Sequence, residues 1–139
     1  MKTAMIFGTF DILHYGHLQL FRQARHYGDR VVAVVARDHN VKRAKGKRAF
    51  HAERERVAFL RHLDLIDTVV LGDMHDVYKV VKRVAPDVIC LGYDQKIFVD
   101  ALQTKLKEFH LKTRVVRLKP YKHHHYKTTK IKQYLDRMV

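Results

Sequence analysis

Gly8-Thr9-Phe10-Asp11-Ile12-Leu13-His14-Tyr15-Gly16-His17 follows directly on the apolar run Ala4-Met5-Ile6-Phe7, and the order of those two pieces decides the fold. An unbroken apolar run reads as a strand covered on both faces, here about Lys2 to Phe7. A glycine turn at its carboxyl end then opens a helix, which is where open α/β sheets place their ligands. His14 and His17 stand three residues apart and so share one helix face. Free backbone N–H groups and the positive end of the helix dipole favour an anion at the same spot. Two imidazoles converging on a helix start describe a phosphate site.

Outward from this stretch the pattern repeats. The first helix carries Leu18, Leu20, Phe21 and Ala24 and is expected to stop at Gly28 with a glycine cap. Val31-Val32-Ala33-Val34-Val35-Ala36 is a second buried strand, which completes a βαβ unit. From Arg37 to Arg48 six cations stand against the single Asp38, and this polar stretch reads as a mobile basic loop on the same sheet edge as the Gly8 turn. A helix over about Ala52 to His62, a strand at Thr68–Leu71 and a helix over about Asp76 to Val84 follow. Pro86-Asp87 leads into the strand Val88-Ile89-Cys90-Leu91, where Cys90 fits a small core residue with no charged sequence neighbour to activate it. Leu91-Gly92-Tyr93-Asp94-Gln95 is a second glycine turn, in which Asp94 could simply cap a helix. A helix over about Val99 to His110, a strand over Arg114–Leu118 and a last helix opening near Tyr126 complete the order. Five strands alternating with five helices predict a three-layer α/β/α, Rossmann-like domain with a five-stranded parallel sheet, spanning 1–139 as one unit.

Bulk properties limit the possible functions. The 28 Lys and Arg against 14 Asp and Glu give a formal charge of +14, which attracts polyanions without choosing among them. One cysteine excludes a disulfide framework. No apolar run approaches the ~18 residues a membrane span needs, and no export pattern precedes the first strand, so a cytoplasmic protein is expected. The basic residues are not interleaved with an aromatic stacking platform, which argues against a nucleic-acid partner. His123-His124-His125 alternate in direction on an extended chain and so favour a basic segment over a metal site.

The motif G-T-F-D-x-x-H-x-G-H resembles the signature of the cytidylyltransferase-like nucleotidyltransferases, and the resemblance runs along essentially the whole chain. It implies transfer of a nucleotidyl group from an NTP to a phosphorylated acceptor, with release of pyrophosphate and a substrate-bridged Mg2+. By that resemblance His14, His17 and Lys45 are the catalytic residues. Gly8, Thr9, Phe10, Tyr15, Gly16, Asp94, Tyr121, Thr128 and Thr129 would join the histidines in holding the nucleotide. Asp11, Lys45, Lys47 and Arg56 would hold the acceptor, and no residue is assigned to a metal. The turn at Leu91–Gln95, with Val35-Ala36-Arg37-Asp38, resembles the archaeal-type FAD synthases, which use ATP and FMN. Relatives often pair, so a homodimer is among the expected assemblies. The chain departs from the pattern at Asp64, where the glycerol-phosphate cytidylyltransferase branch carries a cation and Arg61 lies one turn back. It departs again at Lys127, which replaces a serine, and it lacks the two cysteines that archaeal FAD synthases often carry. A CTP-dependent cytidylyltransferase acting on glycerol 3-phosphate or a similar phosphoalcohol is the alternative within the enzyme class. Outside it stand a basic RNA-binding module and a silent nucleotide sensor.

Overall fold

The structure is a computed structural model and describes residues 1–96, 99–121 and 128–138. Its sheet holds β1 (Thr3–Gly8), β2 (Arg30–Val35), β3 (Thr68–Leu71), β4 (Val88–Leu91) and β5 (Arg114–Arg117), all parallel, in the order β3-β2-β1-β4-β5. Around it lie α1 (Tyr15–Tyr27), α2 (Asp38–Lys45), α3 (Glu53–Leu60), α4 (Lys79–Val84), α5 (Val99–Glu108) and α6 (Thr128–Met138). The predicted three-layer, five-stranded parallel architecture is therefore the one observed.

Period-two alternation divides the apolar strands between two cores. Ala4, Ile6, Val31, Ala33, Val35, Val88 and Cys90 face Phe21 and Ala24 of α1 and Val57 and Leu60 of α3. Met5, Val32, Val34, Ile89 and Leu91 face Val80 and Val81 of α4 and Leu102 and Leu106 of α5. Each large side chain so buried contributes about 1.5–3 kcal/mol. Cys90 is 1% exposed, and burial pushes its thiol up to about 12, which makes it core and not nucleophile.

The chain runs from β1 outward to β3, then returns to the other side of β1 for β4 and β5. The strand order therefore reverses between β1 and β4, and the carboxyl ends of those two strands are where open α/β sheets place their ligands. The opposite edge is closed by acids: Thr3 N donates to Asp87 Oδ2 at 2.8 Å and Val31 N to Asp67 Oδ2 at 2.8 Å.

Three local expectations are corrected. Asp38–Lys45 is a helix, not a loop; only Val41 of its residues is buried, so it carries no apolar period to read. Its start is fixed from a distance, because Asp38 N donates to Glu53 Oε1 at 2.9 Å while Glu53 N donates back to Asp38 Oδ2 at 3.0 Å. Gly28 follows α1 in extended backbone, and its glycine is required by a close approach, since a Cβ there would stand 2.7 Å from Ala4 N. The helix expected from Asp76 begins at Lys79, because the Asp73 and Asp76 carboxylates take the backbone N–H groups of His75, Asp76 and Tyr78 into turns first.

Candidate active site

The turn after β1 is folded around Phe10. That residue adopts a left-handed φ of 53°, and its ring doubles back beneath Gly8, where a Cβ would meet Cζ of the ring at 2.7 Å. Phe10 is 6% exposed, packs edge-on to Phe21 at 5.6 Å and lies 6.2 Å from the His17 ring. Its ring, at a position expected among the nucleotide contacts, supports the turn from below.

His14 is the N-cap of α1, and its Nδ1 accepts from Gly16 N at 3.1 Å. His17 reaches back one turn, and its Nδ1 accepts from His14 N at 3.3 Å. Both rings thus use Nδ1 as an acceptor, which assigns the proton of each neutral imidazole to Nε2. The ring centroids lie 4.1 Å apart with a tilt of 48°. Burial, and then the neighbouring His14, lower the His17 pKa to about 4; burial also lowers that of His14. The pair is therefore neutral near pH 7 and offers N–H dipoles, not fixed charge. Gly16 is the residue that permits this, because a Cβ on it would stand 2.8 Å from Cε1 and 2.9 Å from Nδ1 of the His14 ring.

Arg56, expected at the acceptor, lies inside the protein at 1% exposure. Its guanidinium donates to His51 O at 3.1 Å, Thr9 O at 2.7 Å, Ala36 O at 2.9 Å and Asp38 Oδ1 at 2.7 Å. It ties the turn after β1, the turn after β2 and the approach to α3 into one unit. Asp11 is a brace of the same kind, with Oδ2 accepting from Phe50 N at 2.6 Å and Oδ1 from His51 N at 2.8 Å. Desolvation opposes its charge, but those amides and Lys132 outweigh it and hold the carboxyl below its ordinary value. Neither residue stood out in the sequence as a brace, because a motif position does not say whether its side chain points outward.

Lys45, at the end of α2, donates to Thr9 Oγ1 at 3.2 Å, so the basic stretch does reach the Gly8 turn. Partial desolvation, with Lys132 and Arg56 nearby, lowers its pKa against the opposing pull of Asp11 and Asp94. Lys47 is exposed two residues further on, and Asp94 lies just past β4. The turn carrying Asp94 is pinned by Arg117, which donates to Gly92 O at 2.8 Å and Gln95 O at 2.7 Å. Sequence reading passed over Arg117, although its place opposite Leu91 in the β4–β5 register marks it as the neighbour of that turn. Tyr15 and Tyr121 meet edge to face at 5.3 Å beside His14. Arg61 and Asp64 both lie beyond the end of α3 and are exposed. Thr128 and Thr129 begin α6, but their side chains lie outside the described residues, as do His123, His124, His125 and Lys127.

Among the described residues no group of three or more His, Cys, Asp or Glu side chains is arranged to hold a metal ion. No described helix is long and apolar enough to cross a membrane.

The match to known proteins extends well beyond the motif. An FAD synthase of Thermococcus sibiricus is 40% identical over 128 residues, covering 91% of this chain and 86% of that one. An FAD synthase of Aciduliprofundum boonei is 43% identical over 121 residues, covering 87% and 80%. The crystal structure of a lipopolysaccharide core biosynthesis protein from Thermoplasma volcanium superposes with a TM-score of 0.80 at 39% identity, covering 87% of this chain and 98% of that one. Residues 5–134 match the cytidylyltransferase-like family itself, so the span that builds both the sheet and the capped histidine pair is the span the family shares, and the chain belongs to that family.

Proposed function

We propose that this nucleotidyltransferase is an FAD synthase, which moves AMP from ATP onto the phosphate of FMN and releases pyrophosphate. Identity near 40% to FAD synthases over most of the chain supports the substrate pair. The observation that carries the chemistry is the Nδ1 capping of both histidines, which leaves Nε2–H as the donor of two neutral rings.

An FMN phosphate oxygen attacks the α-phosphorus of ATP, a new P–O bond forms, and the bond to the β-phosphate oxygen breaks with its electrons leaving on pyrophosphate. The attacking oxygen is already deprotonated near pH 7, so no general base is required. Catalysis then rests on placement and on donors aimed at the charge gathering on the α-phosphate. His14 and His17 supply those donors, and neutral rings serve without giving up a proton. The Gly8 and Thr9 turn and the start of α1 at Tyr15 and Gly16 bound the triphosphate. Thr128 and Thr129 take the β- and γ-phosphates, Asp94 the nucleoside and Tyr121 the base. Lys45 and Lys47 hold the acceptor phosphate, while Asp11 and Arg56 keep the surrounding turns in place. A Mg2+ accompanying the nucleotide would be held by the substrate and solvent and not by a cluster of described side chains, and would neutralise phosphate charge. Asp11, the carboxylate on the turn itself, already accepts from two amides and Lys132. The reaction belongs in the cytoplasm, where ATP and FMN are both present.

Purified protein given ATP, FMN and Mg2+ should release pyrophosphate and form FAD, detectable by chromatography. Pyrophosphate release only from CTP with glycerol 3-phosphate would refute the FAD assignment in favour of a cytidylyltransferase.

A further inference from the structure

We propose that Lys132 is a second cationic contact for the acceptor's phosphate, held against Asp11 in the free protein and working opposite Lys45. Lys132 lies on α6, and its Nζ stands 3.5 Å from Asp11 Oδ2. That separation exceeds the ~2.7–2.9 Å of a strong charge-assisted hydrogen bond. Asp11 does not depend on it, since its two oxygens already take the amides of Phe50 and His51 at 2.6 and 2.8 Å. Lys132 is 42% exposed although Asp11 is only 8%, so water reaches the ammonium, and its flexible stem lets it turn to another anion. The ammonium is thus positioned at the site by a bond that is easily exchanged.

Lys45 approaches the same turn from the opposite element. It donates to the Thr9 hydroxyl at 3.2 Å, and among the described residues it forms no salt bridge. Thr9 and Asp11 are two residues apart, with Phe10 turned into the core between them, so the two lysines flank one short piece of backbone. Lys132 is among the cations that depress the Lys45 pKa, which places the two ammoniums within electrostatic reach of each other. Arg56 is bridged to Asp38 and Lys132 to Asp11, whereas Lys45, although drawn by both Asp11 and Asp94, makes no salt bridge among the described residues, so its ammonium is the one placed to take an incoming anion. A phosphate monoester dianion complements that arrangement, and Lys132 exchanges its long bridge to Asp11 for a shorter one to the phosphate.

The inference rests on FMN being the acceptor, and its test separates the two ideas. Lys132→Ala should raise the KM for FMN by about ten- to a hundredfold, the loss of one charge-assisted contact, while the KM for ATP stays within about twofold. Lys132→Arg should recover most of the loss. Inhibition by riboflavin, which is FMN without its phosphate, should not change, and the melting temperature of Lys132→Ala should stay close to wild type. An unchanged KM for FMN overturns the proposal, as does a rise confined to ATP. If the wild-type protein makes no FAD, the reaction assigned above fails. Lys132 is then judged by whether methyl phosphate stabilises the wild-type protein in a thermal shift and Lys132→Ala less so.

Discussion

Replacing Arg56 with alanine should destabilise the protein more than any other single change among the polar residues of the site. The guanidinium is 1% exposed and serves three backbone carbonyls, of Thr9, Ala36 and His51, and one carboxylate. Each carbonyl that loses a charged donor costs about 1–2 kcal/mol. Asp38 is 42% exposed, so water reaches its carboxylate once the partner is gone and it adds little. The three carbonyls together cost about 3–6 kcal/mol. In a chain of this size that lowers the melting temperature by roughly 10–20 °C. Arg56→Lys should recover less than half of it, since one ammonium cannot span acceptors on three separate backbone segments. Thermal and urea unfolding followed by circular dichroism measure the loss, and kcat/KM should fall with it because the freed carbonyls belong to the turns after β1 and β2. A melting temperature within about 3 °C of wild type would show that Arg56 is not a brace.

Gly16→Ala should separate stability from activity. Alanine's helix propensity offsets the lost cap to within about 1 kcal/mol, while the displaced His14 ring lowers kcat by about tenfold or more; full activity would remove the argument from ring placement. The acid dependence of stability follows from His17. Its folded pKa of about 4 lies below the ordinary 6.5, so the unfolded chain binds a proton in that interval that the folded chain does not. Stability is therefore complete above pH 6.5 and declines as the pH falls towards 4, by at most about 3 kcal/mol. Asp11 and Asp38, whose carboxyls are held low, add a separate loss only below about pH 3.8. Urea midpoints between pH 7.5 and 4.5 should show a slope that His17→Gln flattens. Arg117→Ala should raise the KM for ATP several-fold with a smaller change in kcat, because it releases the Asp94 turn; steady-state kinetics with varied ATP decide it.

Apolar runs made the sheet legible, since Val31–Val35 can be little other than a buried strand, and the spacing of the two histidines after β1 announced that their rings meet at the start of α1. The α2 helix was not legible, because its start is secured by Glu53, fifteen positions away, and not by any period of its own. Residue type at a motif position proved a poor guide to direction. Phe10, Asp11 and Arg56 all belong to the site, yet each turns inward and holds it together. Lys132 and Arg117 were missed for the converse reason. Their neighbours Asp11 and Gly92 are brought to them only by the finished topology, and a lysine or arginine among 28 carries no local mark.

The two rings that would meet substrate also terminate the free amides at the start of α1. Activity and foldedness are therefore carried by the same two rings, through opposite nitrogens. Alanine at position 14 or 17 gives up the donor and frays the helix together, whereas Asn at 14 or Gln at 17 would keep the cap and lose only the imidazole donor. Selection for a well-folded chain alone would therefore preserve a cap at these positions, while only use of the Nε2 donors would preserve the imidazoles.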